Sequence, residues 1–482
     1  MLQILSHQYL KKFVKNYPID WFHVYSFGRI ISNCIENNAT YLINSEIFST
    51  KDWISAILIP LFLKEENSIF ILSEEIIEFL QNNYINNFRS QGFDFVLEND
   101  QIIFLKHKVH LRTFENLLND PEFDSLKNHR IILSGIENIQ QNLKNHFRVT
   151  LCKNDWLDNT KKFESFNHNI INTYNFLKNK FFSRKIIGNR YLFLDKKEVD
   201  FLSNFFYEFA FFSDQFARVS FALSKGWACW VKIDSRKLEW CLHLEPIDEL
   251  AEIRDFLTEN KFIFLSALRK DNFFQDYLKK QSLNIDLVIN FKSNFREKKI
   301  LLYAPPKQIL PNNPLFTNEI LEKCKKLIIF RKGLTLILSD DVNLKTTIAT
   351  ELASTNGKRV LLQTIPLFNN QILCSSYDWW IKNSDLIQIP EQIILLLLPI
   401  PNMSDPINVI TVAHNKKLSR DWFREFLLPQ ARIKLERSIA PLRRNSGKLI
   451  ILDGRANKRN WGRLLLQNIQ PSKQINYMLP FD

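Results

Sequence analysis

Short apolar runs of strand character alternate with longer segments of helical spacing, and this alternation constrains the fold of the 482-residue chain more than any other feature. The clearest runs lie at 40–43, 68–72, 102–105, 130–133, 262–266, 334–338, 359–363, 392–398 and 448–452. Such runs separated by helices predict an α/β fold, an open parallel sheet with helices on its faces. They fall into two groups. Between the groups, residues 304–316 carry Pro305, Pro306, Pro311 and Pro314. Proline fixes φ and removes a backbone donor, so neither a helix nor a central strand persists there, and the domain boundary is expected in that segment. Residues 154–240 are rich in Phe, Asn and Lys, with helical stretches such as 198–223, and are expected to form a helical insertion in the first group.

A chain of this length suits roughly two to four domains. Hydrophobic residues at 45% and charged residues at 24% read as an ordinary folded chain, with disorder not the default. The formal charge is +13, from 64 Lys and Arg against 51 Asp and Glu, a sign that suits nucleic acid or another polyanionic partner. Cys34, Cys152, Cys229, Cys241, Cys324 and Cys374 lack the close pairs of a zinc or redox motif, so all six are expected to be reduced, mostly buried thiols in a cytoplasmic protein. The pair His107 and His110 has no acid or cysteine at useful spacing, and no metal is expected there. The longest apolar runs, 53–63 and 393–401, fall short of the ~20 residues that span a bilayer, so no membrane segment is expected.

The C-terminal segment 422–463, WFREFLLPQARIKLERSIAPLRRNSGKLIILDGRANKRNWGR, carries a resemblance to a known family. Leu428, Pro429, Ala431, Leu452, Asp453, Arg455, Trp461 and Gly462 match the last conserved block of the DinG helicases without a gap. Upstream, residues 379–385 resemble the family's fifth motif, and Leu398-Pro399 with Asp405-Pro406 resemble the segment that follows it. Residues 131–139 resemble the strand and Asp-Glu box of the second motif, and 264–268 resemble its Thr-Ser-Ala-Thr-Leu motif. The chain thus resembles the DinG/XPD-like branch of the superfamily-two DNA helicases. The resemblance implies two RecA-like parallel-sheet lobes, 1–303 and 317–482, joined by the 304–316 linker.

The chemistry of the family's motifs is not retained. A phosphate-binding loop needs glycines so that backbone N–H groups converge on the phosphates, with a Lys for charge and a hydroxyl on magnesium. The matching stretch, 45–52, reads Ser-Glu-Ile-Phe-Ser-Thr-Lys-Asp, in which Lys51 is the remnant. None of the ten glycines in the chain is followed by Lys and then Ser or Thr. The second motif should end in an Asp-Glu pair that holds the metal and polarises water. Here it reads Ser134-Gly135-Ile136-Glu137, with Glu137 expected at the surface. In the sixth motif the arginine-finger position is Pro441, and Arg444 is the surviving arginine. No cysteine lies between Lys51 and Ser134, where the XPD-like relatives place four for an iron–sulfur cluster.

No cofactor is therefore expected: no iron–sulfur cluster, and ATP with Mg only if the loop still works. Lys51 and Arg444 are vestigial nucleotide-binding positions. A nucleic-acid surface is expected from Arg432, Lys434, Arg437, Arg443, Lys448, Arg455, Lys458, Arg459 and Arg463, with Trp379 and Trp380 available to stack on bases. Core packing is the competing fate of both tryptophans. The functional expectation is a helicase-like protein that binds nucleic acid, single-stranded or forked DNA foremost, without hydrolysing ATP, in repair or replication. An active ATP-dependent DNA helicase and a protein-interaction scaffold on a helicase fold remain the alternatives.

Overall fold

In the computed structural model, the residues described are 1–37, 39–98, 101–119, 129–162, 167–184, 191–269, 272–280, 284–291, 299–305, 307–329 and 332–476. Pro306 and parts of the insertion, 163–166 and 185–190, lie outside them. The chain divides into two compact units. One comprises Met1–Glu137, Thr258–Ile400 and Arg424–Asp482; the other comprises Asn138–Leu257 and Pro401–Phe423.

The larger unit is built on two sheets. The first runs in the order Leu287–Asn290, Tyr41–Asn44, Phe262–Ser266, Arg130–Ser134, Ser68–Ile71, Lys108–Arg112, Gln101–Ile103 and Val96–Glu98. Its first six strands are parallel and the last two join antiparallel. The central strands 41–44, 68–71 and 262–266 are buried along their whole length, which is why they read as continuous apolar runs. The run 53–63 forms the helix Ile54–Leu63, whose residues are buried from Ile54 to Phe62. A helix apolar on every side belongs in a protein core when it is this short. No helix among the described residues is long and apolar enough to cross a membrane.

The second sheet is parallel throughout, in the order Val360–Leu362, Ile372–Ser375, Thr335–Leu338, Gln392–Leu395, Lys448–Ile451, Ile300–Tyr303 and Ser472–Gln474. Its strand Ile300–Tyr303 precedes the proline segment, so the chain enters the second sheet one strand before the boundary placed at 304–316. The four residues, Ile-Leu-Leu-Tyr, form an apolar run too short, beside a proline cluster, to be assigned to either group from sequence. Helix Leu428–Asn445, which holds the sixth motif, covers this sheet through Ala431, Leu435, Ile439 and Leu442.

The smaller unit adds a sheet to the helices expected over 154–240. It does contain helices, such as Asn167–Phe182, Lys196–Phe209 and Asp214–Ser224. These pack on a four-stranded antiparallel sheet in the order Val149–Leu151, Glu239–Glu245, Ala228–Asp234 and Tyr191–Phe193. The segment Pro401–Phe423, far away in sequence, joins the same unit, and Ile407 of its helix Pro406–Lys417 packs on Ala228 and Trp230. The expectation that all cysteines are reduced is corrected. Cys152 and Cys241 are joined as a disulfide across 89 residues, a pairing set by two adjacent antiparallel strands that no local spacing announces. Cys34, Cys324 and Cys374 are buried free thiols as expected.

Candidate functional site

Three adjacent parallel strands of the first sheet, Tyr41–Asn44, Phe262–Ser266 and Arg130–Ser134, end side by side. The loops at their carboxyl ends are the stretches aligned with the phosphate loop, the Thr-Ser-Ala-Thr-Leu motif and the second motif. Ligand sites in open α/β sheets form at this edge. Helix Leu428–Asn445 supplies the side chains that meet these loops.

The phosphate-loop stretch is a tight 3-10 turn, Glu46–Ser49, in which the Ser45 side chain accepts from the Ile47 amide. The turn presents a carboxylate. Glu46 Oε1 lies 2.7 Å from Arg443 Nε and 4.0 Å from Arg269 Nε, and the Glu46 and Arg443 side chains are only 9% and 5% exposed. Arg444 Nη2 donates to Ser49 Oγ at 3.1 Å. Lys51 turns aside: its Nζ lies over the Phe79 ring, 4.4 Å from the centroid. Burial pushes the Asp52 carboxyl above its ordinary value, and Arg444 opposes the shift.

Gly135, at φ +72, lets the chain leave its strand in the left-handed region and turn back through Ile136–Asn138. This places Glu137 inside, where it accepts from the Ala267 amide at 3.1 Å and meets Arg437 Nε at 3.5 Å. The Glu137 side chain is 1% exposed, so the expectation of a surface residue is corrected. A third acid completes the set. Glu436 accepts from the Arg269 amide at 2.6 Å, and burial pushes its carboxyl up against the pull of that bond and of nearby arginines. Arg269 also donates to the Gln470 carbonyl, as does Arg443 at 3.2 Å.

The ends of these strands are thus met by buried acids paired with arginines of the chain's own. Sequence reasoning located Arg444 here but missed Glu46, Arg269 and Glu436 as site residues. The available signal was an acid, Glu46, in the stretch that resembles a phosphate loop, together with the basic run at 432–444.

The expected nucleic-acid surface divides. Arg443 is buried against Glu46 and Arg437 faces Glu137, so both are taken up by these acids. Lys434 meets Asp378 at 2.8 Å and Asp340 at 3.3 Å, Lys448 meets Glu391 at 3.7 Å, and Arg432 meets Glu436 at 3.9 Å. Arg455 pairs with Asp453 at 2.7 Å and lies over the Trp461 ring. Lys458, Arg459 and Arg463 are exposed. Trp380 is fully buried and its indole donates to the Ser438 carbonyl at 2.9 Å, which removes it as a stacking platform; Trp379 is partly buried against the same core. Asp341 caps helix Val342–Asn356 by accepting from the Leu344 amide at 2.8 Å, the ordinary role for an acid at that place.

The motif Leu452-Asp453-Gly454-Arg455 is a structural staple. Asp453 is fully buried and accepts from the Leu398 amide at 2.8 Å as well as from Arg455. A Cβ on Gly454 would stand 2.5 Å from the Ile309 carbonyl oxygen, and one on Gly462 would stand 2.3 Å from that of Arg455. Both positions require close backbone approach.

Neither protein-family models nor curated protein sequences give a match. Solved structures do. An XPD helicase superposes with a TM-score of 0.57 at 12% identity, covering 98% of this chain and 98% of its own. Xpd4 of S. tokodaii gives a TM-score of 0.60 at 14% identity over 94% of this chain and 99% of that one. An apo XPD structure gives 0.57 at 12% identity over 93% and 99%. At this identity the likeness concerns architecture, and the parallel order of both sheets agrees with it: the chain has the RecA-like α/β fold of the XPD helicases.

Proposed function

We propose that this protein is a helicase-like nucleic-acid-binding protein of DinG/XPD type that does not turn over ATP. The observation that carries the reading is the Glu46–Arg443 pair. A loop that binds phosphates offers amides and a lysine to an anion, whereas this loop offers an anion to an arginine. Lys51 over Phe79 and Glu137 facing Arg437 leave neither a phosphate-neutralising lysine nor a pair of metal-holding carboxylates in place. The chemical steps of phosphoryl transfer depend on such groups acting together.

The net charge of +13 and the exposed Lys458, Arg459 and Arg463 support a polyanionic partner. The two-lobe fold supports nucleic acid as that partner, with single-stranded or forked DNA as the preferred form and repair or replication as the setting. Two measurements on the purified chain test this. Phosphate release from ATP is expected at background with and without single-stranded DNA, and to be the same in Lys51→Ala. Fluorescence anisotropy at low salt is expected to show binding to labelled single-stranded or forked DNA. DNA-stimulated turnover abolished in Lys51→Ala would instead establish an active helicase, and no binding to DNA or RNA would leave the scaffold reading.

A further inference from the structure

We propose that Glu46 is a built-in anion that occupies an anion-binding position between Arg443 and Arg269, and that this position takes up inorganic phosphate or pyrophosphate once the carboxylate is removed. The inference rests on the reading of 45–52 as a phosphate loop that has lost its glycines.

Two guanidinium groups from opposite sheets converge on one carboxylate oxygen, Arg443 at 2.7 Å and Arg269 at 4.0 Å. Each is held by bonds that do not involve Glu46. Arg443 donates to the Gln470 carbonyl at 3.2 Å, Arg269 donates to the same carbonyl, and the Arg269 amide donates to Glu436. Neither arginine can simply swing away when its anion is removed. A buried guanidinium without a counter-charge is costly, and a phosphate group matches its planar fork better than one carboxylate oxygen does. Arg444 stands one residue along the same helix, already donating to Ser49 of the loop, within reach of a larger anion.

Glu46 therefore does two things at once. It excludes phosphates from the loop, and it ties the loop of the first sheet to the sixth-motif helix of the second without a nucleotide.

The test is isothermal titration of the whole protein with pyrophosphate, and with phosphate, in a buffer free of other multivalent anions. Wild type is expected to bind weakly or not at all. Glu46→Gln, which keeps the shape and removes the charge, is expected to bind pyrophosphate at least tenfold more tightly, and Glu46→Gln with Arg443→Gln to return to the weak binding of wild type. Should Glu46→Gln be unfolded alone, pyrophosphate is expected to restore its native circular dichroism. Equal affinity in wild type and Glu46→Gln, tight binding that persists without Arg443, or failure of rescue would overturn the proposal. ATP turnover by wild type would overturn the functional reading instead, so the two failures are distinct.

Discussion

Arg443 Nε lies 2.7 Å from Glu46 Oε1 and ties helix Leu428–Asn445, which covers the second sheet, to the turn that follows strand Tyr41–Asn44 of the first. Both side chains are almost wholly buried, so removing one leaves the other charged in a poorly solvated place. Arg443→Ala is expected to destabilise the larger unit by about 3–5 kcal/mol, whereas Glu46→Leu with Arg443→Met is expected to recover much of that loss. Denaturant midpoints of the three proteins decide it. A loss under about 1 kcal/mol for Arg443→Ala would mark the pair as solvated.

Asp453 and Gly462 belong to the best-matched motif, yet their partners are internal. Asp453→Ala strands the buried Leu398 amide and the Arg455 guanidinium and is expected to cost about 3–5 kcal/mol. Gly462→Ala forces a Cβ onto the Arg455 carbonyl and is expected to cost about 1–3 kcal/mol. In thermal unfolding both variants should melt early while the folded fraction binds DNA as wild type does. Weakened binding with unchanged melting would assign the motif to the ligand.

His243 supplies a pH dependence in the smaller unit. Burial pulls its imidazole from 6.5 down to about 4, helped by Lys232 and Arg148, and the ring stacks on Trp230. Between those values the unfolded chain binds a proton that the folded chain refuses. The stability tied to neutral His243 is therefore full above pH 6.5 and is lost as pH falls toward 4. Urea midpoints measured across this window are expected to fall more steeply for wild type than for His243→Gln. Parallel slopes would mean that the ring is solvated.

Lys458, Arg459 and Arg463 are exposed cations at the end of the basic C-terminal segment. Replacing each with Gln is expected to weaken binding to single-stranded DNA of any sequence, and to lower the salt slope of log K by about 0.7 for each phosphate that is no longer neutralised. The same change at Lys434, held between Asp340 and Asp378, is expected to leave the slope unaltered. Anisotropy titrations from low to moderate salt separate the two sets. An effect at Lys434 equal to that at Lys458 would put the DNA elsewhere on the surface.

The chain's apolar runs and prolines determined the α/β class and the two groups of strands, because a strand buried on both faces has no choice but to be apolar. The residue order also determined that 45–52 holds no glycine and that 134–137 holds no Asp-Glu pair. Tertiary structure alone decided where the acids near those stretches lie. Glu46, Glu137 and Glu436 are ordinary acids in sequence, and each becomes a buried partner only because three parallel strands end beside one arginine-bearing helix. The same holds for Cys152 with Cys241 and for strand Ile300–Tyr303, whose partners lie 89 residues away and beyond the proline segment respectively. Local patterns report the burial of a residue within its own element. Pairing across the fold depends on which elements meet, and that is set by packing of the whole chain.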